Sequence, residues 1–316
     1  MQYFTLEDIA RRLSQSSVLQ PIMVDEFRQS VLMDMVRFKM IPGMHDEFTI
    51  LTELPDAQRR GVHGEFTSSK STNSMGTEAI SIYGSKMTHD RVLNRTGNFD
   101  VVDELRKHVR ATRLLLEYEM VYGDPSDDET PGQITGLQHW AENSYGWEAE
   151  TSVSAGVTSG GAALSLRRFQ DALDSCQDAT HIFCGQQMRN VITTGATDVD
   201  VSGFVNRNDA AFGGRVATFD GIPIIPLERD QNHQRILGFN EPAFAGPATS
   251  SSIYIVSHTE NEGWYPFLSG EPFVEEDQNT SSPLKSREQE TYIGTSRPRP
   301  TAVIRLKHIG DLEMVK

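Results

Sequence analysis

The chain has 316 residues, and its 44 Asp and Glu side chains outnumber its 29 Lys and Arg side chains, which gives a formal net charge of -15. This acidic excess argues against bulk binding to nucleic acid or to an anionic membrane, because both require surplus positive charge. At about 150 residues per domain the length predicts two domains, or one domain with large insertions, that can fold without a metal or disulfide.

The N-terminus and the cysteines indicate an intracellular protein. Arg11 and Arg12 interrupt any apolar segment near the N-terminus, so no secretory signal is predicted. No apolar run approaches the ~18 residues of a membrane-spanning helix. Cys176 and Cys184 lie eight residues apart; two buried thiols in a reducing cytoplasm are favoured, although a disulfide is also compatible with this spacing.

The first 55 residues predict two short helices and a strand. Six of the 11 methionines lie in the first 44 residues, and flexible thioethers suit a segment that packs against irregular or changing surfaces. The signals are a capping box at Thr5-Leu6-Glu7-Asp8 followed by Ile9 and Leu13, a helical patch at Val24, Phe27 and Val31, a break at Ile41-Pro42-Gly43, and an extended strand from Glu47 to Leu54 that ends at Pro55.

Residues 60–90 predict a protruding arm. Small polar residues, Gly and Lys dominate this segment, and weak alternation predicts two long strands joined at Asn73 to Gly76. The segment has too few apolar residues to form a core of its own. Because a two-stranded ribbon is marginally stable alone, we expect the arm to dock on an outside partner.

A long helix follows the arm. Asn98 or Asp100 can cap it, and apolar residues from Phe99 to Met120 follow an approximate 3.6-residue period. Some 24 residues at 1.5 Å rise predict a rod of about 36 Å. Gly123-Asp124-Pro125 ends it.

The C-terminal half predicts a mixed α and β region. Nine of the 14 prolines lie after residue 220, which favours short strands and turns. The predicted elements are a helix that opens at Gly156 to Gly161 and runs through Leu166, Phe169, Leu173 and Cys176, a buried strand at His181 to Cys184, a short helix from Met188 to Thr193, a hairpin that turns at Asp220-Gly221, and strands at Ser252 to Ser257, Glu290 to Ile293 and Ala302 to Leu306. The fold class is α+β with a protruding ribbon.

Motifs for catalysis or ligand binding are weak. Gly156 to Gly161 allows an anion site, but a turn is favoured. Asp124, Ser126, Asp128 and Glu129 resemble the start of a calcium loop without its glycine and closing Glu, so a solvated acidic loop is favoured. His181 and Cys184 lie three residues apart in a predicted strand, which points them to opposite faces and argues against a thiol nucleophile. No catalytic residue, cofactor site or metal ligand is therefore assigned.

The order of these features resembles the major capsid proteins of tailed bacteriophages, which have the Hong Kong 97-like fold. The resemblance covers nearly the whole chain from about Val18. It rests on Phe38-Lys39-Met40-Ile41-Pro42-Gly43, Leu54-Pro55 with Arg59-Arg60, Thr88-His89-Asp90-Arg91-Val92-Leu93, Tyr122-Gly123-Asp124, Gly136-Leu137 with Ile134 in place of the family's Phe, Ser159-Gly160-Gly161, Met188-Arg189, Phe219-Asp220-Gly221-Ile222-Pro223-Ile224 as the most specific match, Tyr292-Ile293-Gly294, and Ala302-Val303-Ile304-Arg305-Leu306.

The resemblance implies a structural protein rather than an enzyme. The implied domains are an N-terminal arm at 1–44, an extended loop at 45–96, a peripheral domain with a long spine helix at 97–155, an axial domain at 156–250, and return strands that complete both domains at 251–316. The implied partners are other copies in hexamers and pentamers of an icosahedral shell, with a separate scaffolding protein, a portal, and in some cases a decoration or cement protein.

The resemblance also implies a location and a cargo. The shell would be a virion capsid that is assembled in the host bacterial cytoplasm and encloses double-stranded DNA without sequence-specific binding, with no cofactor and no membrane. An acidic inner wall would not trap the packaged DNA. Some family members crosslink an arm lysine to a neighbour's Asn; Lys70 and Lys86 lie in the right region, although ordinary surface lysines are favoured.

Two alternatives remain open at this point. An encapsulin-like nanocompartment shell shares the fold but encloses cargo enzymes. A cytoplasmic hydrolase would use Cys184 or Ser159 as its nucleophile.

Overall fold

The computed structural model describes residues 3–6, 8, 20–53, 55–96, 100–143, 152–156, 158–195, 205–206, 217–244, 246–259, 262–276 and 284–315. The predicted α+β class is confirmed. The helices are α1 (Gln20–Phe27), α2 (Val31–Met35), α3 (Arg91–Thr96), α4 (Val101–Tyr122), α5 (Leu137–Glu142), α6 (Leu166–Ser175) and α7 (Gln186–Gly195), with a 3-10 turn at Pro300–Ala302.

The strands form two sheets and a separate ribbon. They are β1 (Tyr3–Phe4), β2 (Phe38–Ile41), β3 (His45–Glu53), β4 (Thr72–Ala79), β5 (Ser81–Asp90), β6 (Ser152–Ser154), β7 (His181–Gly185), β8 (Val205–Asn206), β9 (Ala217–Phe219), β10 (Ile222–Leu227), β11 (Glu241–Pro242), β12 (Ala248–Val256), β13 (Tyr265–Ser269), β14 (Phe273–Glu276), β15 (Leu284–Ser296) and β16 (Val303–Gly310). The first sheet has the order β1-β2-β13-β15-β14 with β5 also on β15, the second has the order β6-β16-β12-β7-β10-β9-β8 with β11 on β12, and β3 pairs with β4.

The long helix α4 packs against the first sheet. The Asp100 side chain caps it by accepting the backbone N–H groups of Val102 and Asp103 at 2.9 and 3.3 Å. Its apolar stripe, which includes Leu105, Val109, Leu116 and Met120, is buried. This confirms the predicted helix and the Asp100 cap, whereas the alternative cap Asn98 lies outside the described residues.

The second sheet carries its own apolar core. β7 lies between parallel β10 and antiparallel β12, and residues 182–185 are all buried, so both faces of the strand are covered. Ile182 and Cys184 pack with Phe169 of α6 and Met188 of α7. Cys176 and Cys184 are both buried free thiols, which confirms the interpretation favoured over a disulfide.

The predicted register of the arm is wrong. Asn73 to Gly76 is not a turn but part of β4, which pairs antiparallel with β3 from His45–Ala79 to Leu51–Asn73. Gly76 lies opposite Phe48, and a β-carbon on Gly76 would lie 2.6 Å from the Phe48 ring. The glycine therefore makes room for an aromatic ring across the ribbon, and β5 leaves the ribbon to join the first sheet.

The glycine run at Gly156 to Gly161 does not open a helix. α6 begins after Ser165, and Gly160 and Gly161 have φ values of 84° and 98°. A β-carbon on Gly161 would lie 2.7 Å from the Gly310 backbone nitrogen. The run is a turn that brings two backbones together, as favoured over an anion site.

The N-terminal predictions are confirmed where the structure describes them. The Asp8 N–H donates to the Thr5 hydroxyl at 3.3 Å, and the Thr5 N–H donates back to the Asp8 carboxylate at 3.2 Å, as in a capping box. Ile9 and Leu13 lie outside the described residues. The second helical patch is two helices, because Ser30 caps a new helix by accepting the Met33 N–H at 3.2 Å.

Candidate functional site: the arm and the contacts that anchor it

The tip of the arm touches little of its own chain. Every residue from 55 to 75 is exposed. Side-chain hydrogen bonds within the tip are local, such as Arg60 Nη1 to the Gly64 carbonyl at 3.1 Å and Ser69 Oγ to the Asp56 carbonyl at 3.1 Å. Apolar side chains are nevertheless present, with Val62 89% exposed and Phe66 62% exposed. Exposed apolar groups grouped on one protrusion mark an interaction surface.

The base of the arm, in contrast, is fixed to the core. Along β3 the buried residues Asp46, Phe48 and Ile50 alternate with exposed ones, and the two apolar side chains join the main hydrophobic cluster. The ribbon is therefore held rigidly at one end and is free at the other.

A buried ion pair reinforces this anchor. Lys39 Nζ lies 2.5 Å from Asp46 Oδ1, and both side chains are almost fully buried. Asp46 Oδ2 also accepts the Tyr265 hydroxyl at 2.9 Å and the Ser296 hydroxyl at 2.8 Å. The cluster joins β3 of the arm to β2, β13 and β15, so the base of the arm is fixed to three strands of the first sheet at one point.

A second polar cluster joins the return strand of the arm to the spine helix. The Tyr83 hydroxyl donates to the Glu119 carboxylate and accepts the Ile134 N–H at 3.1 Å. Burial raises the pKa of the Glu119 carboxyl, while the Tyr83 hydroxyl opposes that shift. Nearby, Thr135 Oγ1 donates to Glu78 of β4 at 2.9 Å, so the loop after the spine helix contacts both β4 of the ribbon and β5.

A third cluster connects the second sheet to the spine helix and to α5. Arg305 Nη2 lies 3.1 Å from Glu241 Oε2, and Arg305 Nη1 pairs with Glu142. The other oxygen of Glu241 accepts the Tyr122 hydroxyl at 2.9 Å. Glu241 thus holds the end of the spine helix against the second sheet. None of these three clusters was predicted, because each joins residues far apart in sequence.

The two candidate hydrolase nucleophiles lack the required surroundings. Cys184 is fully buried, and burial raises the pKa of its thiol to about 12, which keeps it protonated. Burial, with a smaller contribution from His258, lowers the pKa of His181 to about 4, so its imidazole is neutral. Ser159 lies on the exposed glycine turn, and within the described part of the chain its hydroxyl has no hydrogen bond to a histidine.

The calcium-loop and crosslink candidates also have local explanations. Asp124 accepts the Ser126 hydroxyl at 2.6 Å, and this hydrogen bond lowers the pKa of the Asp124 carboxyl. Within the described ranges no three His, Cys, Asp or Glu side chains are arranged to hold a metal ion. Lys86 pairs with Glu288 across β5 and β15, whereas Lys70 is exposed on the arm.

Within the described residues no helix has the length and apolar character needed to cross a membrane.

Comparison with known proteins identifies the fold. A model of the SU10 major capsid protein family matches residues 88–228, a little under half of the chain. The structure is similar to the capsid of a native GTA particle, at 12% identity over 93% of this chain and 92% of that one with a TM-score of 0.62. No curated protein matches the sequence.

Two further solved structures show the same similarity. The holo-SrpI encapsulin complex from Synechococcus elongatus has a TM-score of 0.58 at 11% identity over 88% of each chain. A chain described as Mycobacterium phage Adephagia has a TM-score of 0.56 at 10% identity over 87% of this chain and 88% of that one. The long helix, the protruding ribbon and the two sheets thus form the Hong Kong 97-like fold.

Among proteins with this fold, the family match favours a phage capsid protein over an encapsulin. The matched segment runs from the end of β5 through the spine helix to β10, which includes the Phe219-Asp220-Gly221 hairpin. Residues 88–228 are thus similar to the SU10 major capsid protein family, and the likeness of the whole chain to solved capsid structures shows the fold.

Proposed function

We propose that this chain is a major capsid protein that assembles into hexamers and pentamers, which form an icosahedral head around double-stranded DNA. The observation that carries the assembly step is the arm: residues 55 to 75 are fully exposed, carry apolar side chains, and extend from a base fixed by Lys39 and Asp46. A rigid protrusion with an uncovered apolar tip fits a contact with a neighbouring copy. Such head-to-tail contacts close into rings and then into a shell.

The proposed domains of the subunit are those that the resemblance to capsid proteins implies. Residues 1–44 serve as the N-terminal arm, 45–96 as the extended loop, 97–155 as the peripheral domain, 156–250 as the axial domain, and 251–316 as the return strands. The buried apolar residues form two clusters: one joins the spine helix to the second sheet, and the other packs α6 and α7 on that sheet. The second cluster is built only from residues 153–314, which supports an axial unit completed by the return strands. A scaffolding protein, a portal and a decoration protein are further proposed partners, and the shell is proposed to assemble in the bacterial cytoplasm.

The net charge supports the container role. A chain with a formal charge of -15 repels the phosphate backbone, so packaged DNA would remain mobile inside the shell. A strongly basic inner surface in the assembled particle would contradict this part of the proposal.

The experiment that tests the function combines imaging with an arm variant. Negative-stain electron microscopy and light scattering of the purified chain are expected to show rings or shells. A variant in which residues 56–71 are replaced by a short Gly-Ser linker is expected to keep its far-ultraviolet circular dichroism but to lose assembly. A wild-type chain that stays monomeric in virus-producing cells would contradict the capsid function, whereas normal shells from the linker variant would contradict only the role of the arm.

The encapsulin alternative is tested in the same images. Encapsulin and phage structures share this fold at similar TM-scores, so the fold does not separate them. DNA-filled shells with one distinct portal vertex support the phage capsid, and small shells filled with protein cargo support the encapsulin.

A further inference from the structure

A cleft of about 660 Å³ lies between the spine helix and the turn that follows β10. One wall is the helix face with Lys107, Arg110 and Leu114, and the other is the segment from Pro226 to Arg235. The volume falls within the ~300–1,000 Å³ range of sites that hold small ligands or short peptides. The clusters that anchor the arm do not use this cleft.

The lining has four basic side chains, Lys107, Arg110, Arg229 and Arg235, and two acidic ones, Glu228 and Asp230. Lys107 is paired with Asp103 and Glu104 of its own helix. Arg110 and Arg235 are exposed, and neither forms an ion pair among the described residues. Of the two acidic side chains on the lining, Asp230 is occupied by the backbone N–H groups of Asn232 and Gln234 at 2.9 and 2.7 Å. In a chain with a net charge of -15, a cleft with unpaired arginines is unusual.

The turn places two arginines opposite each other. Arg229 and Arg235 form an antiparallel backbone bridge, and Arg229 Nη1 also donates to the His233 carbonyl at 2.6 Å, which fixes its position. Like charges directly opposite each other are destabilising. A bound anion would relieve this repulsion.

A buried arginine behind the cleft has unused hydrogen-bonding capacity. Arg113 is 2% exposed, and its Nε and Nη1 have no hydrogen-bond partner among the described residues. Its Nη2 lies 3.9 Å from Glu228, a half-exposed side chain on the cleft lining. Arg113 does not itself line the cleft, but its positive charge offsets part of the negative charge of Glu228 on the lining.

From these observations we propose that the cleft binds a short acidic peptide segment of a partner protein. Carboxylate side chains of the peptide pair with Arg110 and Arg235, and an apolar side chain packs on Leu114 and Pro226, which are both half-buried. A peptide is favoured over duplex DNA, because stable DNA binding needs many phosphate contacts on a broad positive surface, which this acidic chain lacks.

The test measures the binding of a fluorescent octapeptide of alternating Glu and Leu by fluorescence anisotropy. The salt concentration is about 50 mM, so that charge interactions are only weakly screened. The wild-type full-length chain is expected to bind it saturably, and Arg110→Glu with Arg235→Glu is expected to weaken binding by about tenfold or more. Arg106→Glu is the matched control, because Arg106 is exposed on the same helix but does not line the cleft, and it should bind as wild type does.

Several outcomes would overturn the peptide site. One is that the wild-type chain shows no saturable binding of the peptide, and another is that Arg106→Glu weakens binding as much as the double variant does. A third is that an octapeptide of alternating Lys and Leu binds equally well. The fourth is that a short DNA duplex binds more tightly and displaces the peptide completely, which would indicate a nucleic-acid site. Circular dichroism and electron microscopy of the same samples separate this result from the capsid function. Shells that form without peptide binding contradict only the inference.

Discussion

Glu241 and Arg305 form a buried ion pair at 3.1 Å that joins the end of the spine helix to the second sheet. Both side chains are about 7% exposed, and the Tyr122 and Ser252 hydroxyls donate to the same Glu241 carboxylate. A buried pair of this kind gives little net stability, but the removal of one partner leaves the other charge uncompensated. The Glu241 carboxylate is therefore the polar centre of this junction, beside the apolar packing of the spine helix on the same sheet.

Replacement of this carboxylate is expected to be strongly destabilising. Glu241→Met should lower the free energy of unfolding by about 3–5 kcal/mol, because Arg305 is left buried with only Glu142 as its charged partner. The measurement is urea unfolding followed by fluorescence of the buried Trp140 and Trp264. The control is Glu142→Gln, since Glu142 is 45% exposed and its loss should cost less than about 1 kcal/mol. Equal costs for the two variants would contradict the prediction, and Glu241→Met with Arg305→Met should recover much of the loss.

The pairing of β5 with β15 is expected to require a glycine at position 84. A β-carbon there would lie 2.1 Å from the Gln289 carbonyl oxygen, which is backbone and cannot rotate away. Gly84→Ala should therefore cost about 1–3 kcal/mol or more in unfolding free energy. Gly43→Ala is the matched control, because a β-carbon at position 43 would have no neighbouring atom within 4 Å. If both variants unfold at the same urea concentration, the close approach at position 84 is wrong.

Stability is expected to fall in mild acid because of His181. Burial, followed by the effect of His258, lowers the pKa of His181 to about 4, whereas an unfolded histidine has a pKa of about 6.5. The unfolded state then binds more protons between these values, so stability is fully present above pH 6.5 and is lost as the pH falls toward 4. The loss is about 3 kcal/mol, at 1.36 kcal/mol per pKa unit.

Urea unfolding of the wild type and of His181→Gln at several pH values measures this effect. The variant should lose much of the slope between pH 6.5 and 4. His63→Gln, on the exposed arm tip, should retain the slope. An unchanged slope in His181→Gln would show that other groups control the acid sensitivity.

Local signals explain which parts of the fold could be predicted. The hairpin at Asp220 and Gly221 was predicted because the two residues themselves adopt positive φ values, 49° and 81°, that this turn needs. The spine helix was predicted because its cap, its period and its end all lie within one segment. The strand at His181–Gly185 was predicted because its buried residues are apolar on both faces.

The parts that were not predicted depend on distant partners. The arm register follows from Phe48 against Gly76, and the glycine alone was interpreted as a turn. Glu241 and Arg305 are 64 residues apart, and nothing near either residue indicates the other. β13 was missed because Tyr265–Ser269 is a short apolar run with a proline, and its role as a strand comes from its neighbours β2 and β15.

The arm tip is expected to affect assembly without affecting the fold of the subunit. Val62 and Phe66 are 89% and 62% exposed, so Val62→Ser with Phe66→Ser should change the unfolding free energy by no more than about 0.5 kcal/mol per site. If the tip is buried on a neighbouring copy, however, each substitution removes apolar contact there, at about 1.5–3 kcal/mol for a fully buried side chain. The assembled fraction in light scattering should therefore fall sharply while the urea midpoint of the subunit stays constant. Ser68→Ala, a polar neighbour on the same tip, should assemble as wild type does, and normal assembly of the double variant would place the intersubunit contact elsewhere on the chain.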